Sequence, residues 1–260
     1  MNIPDWKNKL DTFLKQFPHM PDVIGVLVCG SYITGNPGPH SDLDVHLVLR
    51  DTADYRQRGN KVIDGLLIEY FANPPKQILQ YLKDDLAAGN LNSQVQFATG
   101  HIIQDTGGAV AALKAQALAQ MDAFYQQPAP NSLFPLTKYG LWDSLDNLEE
   151  AFKTNRPDFD LIYFTSLDRL MQAYMQAIRH PYHTMAMYGH LTSNTVRGKY
   201  LLKELPAHPI NQQIITAITA STKEEKLQAF QTLTQQVLEP LGGFEIDGFT
   251  FRSPLDVGPV

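Results

Sequence analysis

The 260-residue sequence lacks several features that mark common classes of protein. It has one cysteine, Cys29, which excludes an internal disulfide and fits a reducing compartment. No apolar run approaches the ~20 residues that span a bilayer, and the opening segment MNIPDWKNKLDTF has no apolar signal core. We therefore expect a cytoplasmic protein with no membrane partner.

Positive charge is also scarce in this chain. Lysine and arginine number 21 against 27 aspartates and glutamates, which gives a net charge of -6. Because a basic patch is the usual footprint of nucleic-acid binding, this balance argues against a nucleic-acid partner and favours small or cationic acceptors. The GxxxxGK[ST] and GxGxxG patterns, which bind phosphate in many enzymes, are absent as well.

The strongest functional signal is the segment VIGVLVCGSYITGNPGPHSDLDVHLVL. An apolar, β-prone run, Val23–Cys29, ends at Gly30 and Ser31, and after ten intervening residues Asp42 and Asp44 open a second apolar run. Gly30 has no Cβ, so a phosphate can approach its backbone closely, and Ser31 can donate its hydroxyl to a phosphate oxygen. The turn between the two predicted strands is therefore a candidate phosphate site.

Asp42 and Asp44 are two residues apart on the predicted strand, so their side chains share a face, with Cα atoms roughly 7 Å apart. Mg²⁺ prefers oxygen ligands and commonly takes one or two carboxylates together with substrate phosphates. The aspartate pair is therefore a candidate metal site beside the phosphate site. His46 shares the same face, where we expect it to hydrogen-bond an aspartate or the acceptor rather than to bind the metal.

The order of strand, Gly-Ser, ten-residue spacer, Asp-Leu-Asp and second strand resembles the signature of the DNA polymerase β-like nucleotidyltransferase superfamily. The resemblance covers residues 22–125. Within the superfamily, this sequence is similar to the bacterial aminoglycoside adenylyltransferases. It implies transfer of a nucleoside monophosphate, with AMP from ATP as the favoured case, to a hydroxyl of a small molecule such as an aminoglycoside-type antibiotic. It also implies two Mg²⁺ ions, held by Asp42, Asp44 and a third carboxylate on a neighbouring strand.

Glu69 is the candidate for that third carboxylate. It lies inside the apolar run LLIEYFA, where a lone acid is costly unless it is paired or bound to a metal. It would complete the second metal site or activate the acceptor hydroxyl. Asp64 is a competing acid, although the following Gly65 indicates a turn.

The patterns predict an α+β fold in two domains. Residues 1–128 would form the nucleotidyltransferase domain, a mixed β-sheet flanked by helices, and residues 132–260 an α-helical bundle that binds the acceptor. The proline-rich segment QQPAPNSLFP would separate them. We expect strands over residues 23–29, 45–49 and 101–104 and in the run LLIEYFA within residues 61–73, and a polar loop over 50–60. We expect helices over 4–16, 74–89, just before 101, from 109 onward, 136–153, 158–179, 193–205, 210–220 and 222–238.

Two sets of charged residues stand out in the predicted bundle. Lys199 follows Gly198 at the start of a predicted amphipathic helix, and the resemblance implies that this lysine reaches the triphosphate and offsets the charge of the leaving pyrophosphate. Asp143 and Asp146 are three residues apart on one helix face, where either could hold a cationic acceptor or serve as its general base in place of Glu69.

Two other functions stay open. A protein-modifying or antitoxin-like nucleotidyltransferase would use the same acids, with the bundle bound to a protein partner. A non-catalytic nucleotide-binding module would not need all three acids, so their presence disfavours it. The sequence leaves the nucleotide base, the acceptor and the oligomeric state open, and it assigns no function to the terminal segment LGGFEIDGFTFRSPLDV, which alternates like a strand.

Overall fold

A computed structural model describes residues 6–127, 134–206 and 208–253. The described residues form two compact units. The first extends to Gln127 and also includes Ser193–Lys203; the second contains the other described residues from 134 onward. The predicted start of the first helix at Pro4, most of the predicted domain boundary and the last residues of the terminal segment lie outside the described residues.

The first unit is built on a five-stranded mixed sheet. Its strands are β1 (Val23–Cys29), β2 (Leu43–Leu49), β3 (Gln57–Ile63), β4 (Leu66–Asn73) and β5 (His101–Asp105). They lie side by side in the order β3-β4-β2-β1-β5. Only the contact between β2 and β4 is parallel, and the other three are antiparallel. Together with the helical C-terminal region, this sheet confirms the predicted α+β class.

Helices pack on both faces of the sheet, and successive side chains of β2 point alternately into the two cores. Leu43, Val45, Leu47 and Leu49 pack on one face, in a core shared with Leu10 and other residues of helix α1 (Trp6–Gln16). Val48 packs on the opposite face, in a core shared with three helices, α3 (Pro75–Ala87), α4 (Asn92–Thr99) and α5 (Ala109–Gln126). Asp44 and His46 share the face of Val48, so the polar site face is continuous with a buried core.

Strand β3 corrects the predicted loop over residues 50–60. It pairs antiparallel with β4 across a two-residue turn at Asp64 and Gly65, both of which have positive φ, at 45° and 78°. That backbone is typical of the tight hairpin turn favoured by Asp-Gly. The strand QRGNKVI lies at the sheet edge and is mostly exposed, so it has no apolar alternation by which the sequence could reveal it.

The second unit is helical within the described residues. Its helices are α6 (Phe134–Lys153), α7 (Phe159–Ala177), α8 (Met187–Thr192), α10 (Pro209–Thr219) and α11 (Lys223–Leu238). They surround a core that includes Phe159, Tyr163, Leu170 and Phe230. Helix α11 begins with a reciprocal capping box between Thr222 and Glu225, which explains why its start was readable from the sequence.

One further expectation, the length of a predicted helix, was wrong. The predicted helix over residues 193–205 is short: α9 (Asn194–Lys199) ends where Leu201 adopts a φ of 49° and the Leu202 amide bonds back to the Arg197 carbonyl. The strand-like terminal segment forms no strand up to Ser253, the last residue described. Instead, Phe244 and Phe249 pack their rings near Tyr139. Among the described helices, none combines the length and apolar character that crossing a membrane requires.

Candidate active site

Gly30 positions the first part of the site. It follows β1 directly, precedes the single helical turn α2 (Ser31–Thr34), and has a φ of 77°, a conformation that favours glycine. Its neighbour Cys29 pairs in register with Asp44. A Cβ on Gly30 would overlap the Oδ2 atom of Asp44. Glycine is therefore required both by the backbone and by the closeness of the turn to the carboxylate.

Asp42, Asp44 and Glu69 form one cluster. Carboxylate oxygens of the three residues lie within 4.8 Å of one another, and each side chain is half-buried. The parallel register of β2 and β4 places Glu69 directly beside Asp44. Acids from two segments thus converge on one point: Asp42 and Asp44 lie just before and on β2, and Glu69 lies on the adjacent β4.

The electrostatics of the cluster indicate a place for a cation. Burial, together with the charges of Asp42 and Glu69, raises the pKa of Asp44 to about 6, and the charge of Lys199 acts in the opposite direction. A divalent cation would relieve this repulsion, and an all-oxygen donor set suits Mg²⁺. The chemistry of the donors therefore fits the metal that the sequence motif implies, with Asp42, Asp44 and Glu69 as its holders.

Arg58 occupies one side of Glu69. Its Nη2 atom lies 2.7 Å from Glu69 Oε1, and its guanidinium lies 4.9 Å from the centre of the Phe71 ring. The Arg58 side chain is 69% exposed while that of Glu69 is 19% exposed, so the pair lies at the rim. Sequence reasoning missed Arg58. The Asp-Gly turn could have revealed it, because Asp-Gly favours a tight hairpin. In that hairpin Arg58 lies opposite Phe71, and its side chain is on the same face of the sheet as that of Glu69.

The cluster lies in an open cleft of about 810 Å³. Gly30 and Ser31 line it together with the three acids, and their contact with phosphate stays a prediction. Arg58, Phe71, Gln96 and Lys199 also line it. One cleft of the first unit thus combines carboxylates, a glycine-serine turn and a lysine.

Lys199 reaches the cleft from a part of the chain that the sequence assigned to the bundle. It ends α9, whose first turn is capped by the Ser193 hydroxyl, 3.3 Å from the amide of Val196. The segment Ser193–Lys203 belongs to the first unit. Tyr200 packs against a small core formed by α4 and α5, and the Lys203 ammonium lies 4.3 Å from the centre of the Tyr125 ring.

His46 does not hydrogen-bond an aspartate, so that half of the expectation was wrong, and a hydrogen bond to the acceptor stays a prediction. Its Nε2 lies 3.2 Å from Gln96 Oε1, and its ring stacks on Phe71 and approaches Phe97. Complete burial lowers its pKa to about 4, so the ring is neutral. Cys29 is buried, and burial with the nearby aspartates raises the pKa of its thiol, which agrees with a packing role.

The competing acids lie elsewhere. Asp64 sits in the hairpin turn, where its carbonyl accepts a 2.7 Å hydrogen bond from Lys9, and it is not part of the carboxylate cluster. Asp143 lines a cavity of about 300 Å³ in the helical unit, beside Arg156 and Arg169. Asp146 is exposed on the same helix. A role for either helical acid in binding or deprotonating an acceptor stays a prediction.

Comparisons with known proteins add little at the level of sequence. No protein-family model matches the chain, and no curated protein matches it. Among solved structures, the chain is similar to a nucleotidyltransferase-like protein from Exiguobacterium sibiricum 255-15, with 11% identity and a TM-score of 0.48 over 90% of this chain and 75% of that one.

Proposed function

We propose that the protein is a Mg²⁺-dependent nucleotidyltransferase that moves a nucleoside monophosphate, with AMP from ATP as the favoured case, to a hydroxyl of a small molecule. One observation carries this proposal. Asp42, Asp44 and Glu69 converge within 4.8 Å, in a cleft that Gly30, Ser31 and Lys199 also line. A metal–nucleotide complex needs both halves of that arrangement, because the cation requires carboxylates and the phosphates require donors and positive charge.

The residues of the cleft take separate roles in this proposal. Asp42, Asp44 and Glu69 hold two Mg²⁺ ions, which when bound supply positive charge to the triphosphate. Ser31 donates its hydroxyl to a phosphate oxygen, and the missing side chain of Gly30 lets phosphate approach the backbone. Lys199 pairs with the phosphates that depart. Glu69 completes the second metal site or activates the acceptor hydroxyl.

The group transfer itself is a displacement at phosphorus. The acceptor hydroxyl oxygen forms a bond to the α-phosphorus, and the bond from that phosphorus to the oxygen bridging toward the β-phosphorus breaks. Pyrophosphate leaves with the bonding electron pair, and the hydroxyl proton passes to a carboxylate or to water. No oxidant or reductant is needed. Catalysis then depends on positioning and on charge stabilisation, which are what the cleft residues offer.

Labelling tests the proposal directly. The protein is incubated with Mg²⁺, each of the four α-³²P-labelled ribonucleoside triphosphates and a panel of hydroxylated small molecules that includes aminoglycosides, and labelled products are identified by chromatography and mass spectrometry. We expect one small-molecule class to be labelled with release of pyrophosphate. Label on a protein instead would support the protein-modifying alternative, and no label in any arm would contradict the proposal.

A matched pair of variants assigns the chemistry to the cluster. Asp42→Asn should lower turnover by at least about 100-fold, because several kcal/mol of transition-state charge stabilisation depends on the metal. Asp51→Asn changes an exposed acid in the turn after β2 and should keep full turnover. Full activity in a folded Asp42→Asn protein would remove the metal assignment.

A further inference from the structure

A second cavity of about 510 Å³ adjoins the carboxylate cleft within the first unit. The two share Arg58, Phe71 and Gln96 in their linings. The charged groups that line the second cavity are two arginines, Arg56 and Arg58, and no carboxylate residue lines it. The two neighbouring spaces therefore differ in charge: one is acidic and the other basic.

The inner part of the second cavity is aromatic. His46, Phe71, Phe97 and Tyr81 line it, together with Ile78. The His46 ring lies 5.2 Å from that of Phe71 and 4.7 Å from that of Phe97, centre to centre. The His46 side chain is buried, and its Nδ1 atom has no hydrogen-bond partner. A buried ring nitrogen without a partner is uncommon in a folded core, and here it belongs to a residue that lines a cavity.

The two arginines lie at the exposed side of this cavity. Arg56 Nη1 donates a 2.8 Å hydrogen bond to the Tyr81 hydroxyl, and Arg58 contacts Glu69 and lies over Phe71. A guanidinium has five N–H donors in a planar fork, so each arginine has donors beyond these contacts. That fork fits a carboxylate, and its plane also suits an aromatic neighbour.

We propose that this second cavity binds the acceptor, and that the acceptor is a small hydroxylated aromatic carboxylic acid rather than a polycation. This inference rests on the proposed function. The aromatic lining takes the ring, Arg56 and Arg58 take the carboxylate, and the hydroxyl points toward Phe71 and Gln96, which line both spaces. A volume of about 510 Å³ suffices for such a molecule, and an aminoglycoside would bring several ammonium groups against two guanidiniums.

Matched probes test the charge preference. The panel consists of 4-hydroxyphenyl compounds with linkers of zero to three carbons, each prepared as the carboxylic acid, the primary amide and the amine. Binding to the full-length protein is measured by ligand-observed NMR and calorimetry. We expect acids to bind at least about tenfold more tightly than their amides, as for a charge-assisted pair, and amines to bind most weakly. Equal binding of acid and amide, or no binding by any member, would overturn the inference.

Two arginine variants locate the effect. Arg56→Gln should reduce the preference for acid over amide, because one of the two guanidiniums remains, while Arg50→Gln should leave the preference unchanged. Arg50 is also exposed and pairs with Asp22, but it lines neither cavity. Melting temperatures of both variants establish that each is folded. An undiminished preference for the acid in folded Arg56→Gln would overturn the inference.

A competition experiment with nucleotide tests whether this cavity binds the acceptor or the base of the nucleotide. If the acid occupies the acceptor site, it should bind as well or better when a non-hydrolysable Mg²⁺–ATP analogue is present. Displacement of the acid by the analogue would mean that the cavity belongs to the nucleotide base, which also overturns the inference.

The two proposals fail in different ways. If the protein labels aminoglycosides while the acids bind without regard to Arg56, the acceptor inference is wrong and nucleotidyl transfer stands. If the acids bind in an Arg56-dependent manner while Asp42→Asn has no effect on Mg²⁺–nucleotide binding, the cavity assignment stands and the proposed function is wrong.

Discussion

Glu69 is placed to interact with either of two positively charged partners, a metal cation or Arg58. Its carboxylate lies in the cluster that suits a cation, yet it also contacts the guanidinium of Arg58 at 2.7 Å. In the absence of metal, the positive charge of Arg58 offsets the negative charge of Glu69. When metal is present, Arg58 competes with it for the Oε1 atom of Glu69. Because Arg58 is largely exposed, this ion pair contributes only a small amount of free energy, so a divalent cation can displace it.

Replacement of Arg58 should therefore strengthen metal binding. Arg58→Gln removes both the competitor and a positive charge, and an exposed pair is worth about 0–1 kcal/mol, so we expect the affinity for Mn²⁺ to rise by up to about fivefold. Electron paramagnetic resonance titration of free Mn²⁺ measures this. Arg50→Gln is the control and should bind Mn²⁺ like the unmodified protein. Weaker Mn²⁺ binding by Arg58→Gln would show that the arginine supports the metal site.

His46 makes a contribution to stability that depends on pH. Burial lowers its pKa from 6.5 to about 4, so the folded state favours the neutral ring. The stability associated with the neutral ring is complete above pH 6.5 and is lost as the pH falls toward 4, at up to about 1.4 kcal/mol per pH unit. A side chain that does not titrate would lack this dependence.

Urea unfolding of metal-free protein at pH 7.5, 5.5 and 4.5 tests the role of His46. We expect the unmodified protein to lose stability on acidification more steeply than His46→Gln, so that the difference between the two unfolding free energies changes with pH. Parallel curves for the two proteins would contradict the assignment. The comparison within each pH cancels the contribution of the carboxylates that titrate in both proteins.

At the scale of elements, the sequence predicts those helices and strands whose buried face produces a hydrophobic periodicity. Strand β1 has the predicted bounds, and β2 begins at Leu43, two residues earlier than the apolar run alone indicated. Strand β3 could not be predicted in this way, because an exposed edge strand has no buried face to impose alternation. The end of α9 was also hidden: the left-handed residue there is Leu201, where a glycine or asparagine would have signalled a helix end.

The same limit applies to the candidate site. The two aspartates and the glycine-serine turn are local in sequence and were readable as a motif. The position of Glu69 beside Asp44 depends on a parallel pairing between β2 and β4, and the membership of Lys199 in the first unit depends on packing of Tyr200 against α4 and α5. Neither of these contacts is encoded by spacing. The aromatic lining of the second cavity comes from four elements, β2, β4, α3 and α4, so no single segment could have indicated it.

Helix α9 carries a prediction of its own. If Lys199 pairs with the triphosphate, Lys199→Ala should weaken Mg²⁺–ATP binding by about 10- to 150-fold, the range expected for loss of a charged hydrogen bond of 1.5–3 kcal/mol. Arg197→Ala removes the same charge from the same helix at a residue that does not line the cleft, and it should change affinity little. Calorimetric titration compares the two, and equal losses would mean that only net charge matters.

At the scale of the whole molecule, the carboxylate cluster that would bind the metal lowers the stability of the metal-free protein. Burial and the two neighbouring acids hold the pKa of Asp44 near 6, so at pH 7.5 the metal-free protein keeps a charged group in surroundings that disfavour it. The folded pKa is raised, so this cost is absent at low pH and grows as the pH rises through 6. A ligand that binds only the folded state offsets the cost by mass action.

Asp44→Asn should therefore stabilise the protein and disable it together. At pH 7.5 in the presence of a chelator, we expect its melting temperature to lie above that of the unmodified protein, with about 2–4 °C for each kcal/mol of repulsion removed. Saturating Mg²⁺–ATP should raise the melting temperature of the unmodified protein and leave that of Asp44→Asn nearly unchanged. Asp51→Asn, an exposed acid outside the cluster, should respond to the ligand like the unmodified protein. A ligand response in Asp44→Asn as large as in the unmodified protein would place the metal–nucleotide complex elsewhere on the molecule.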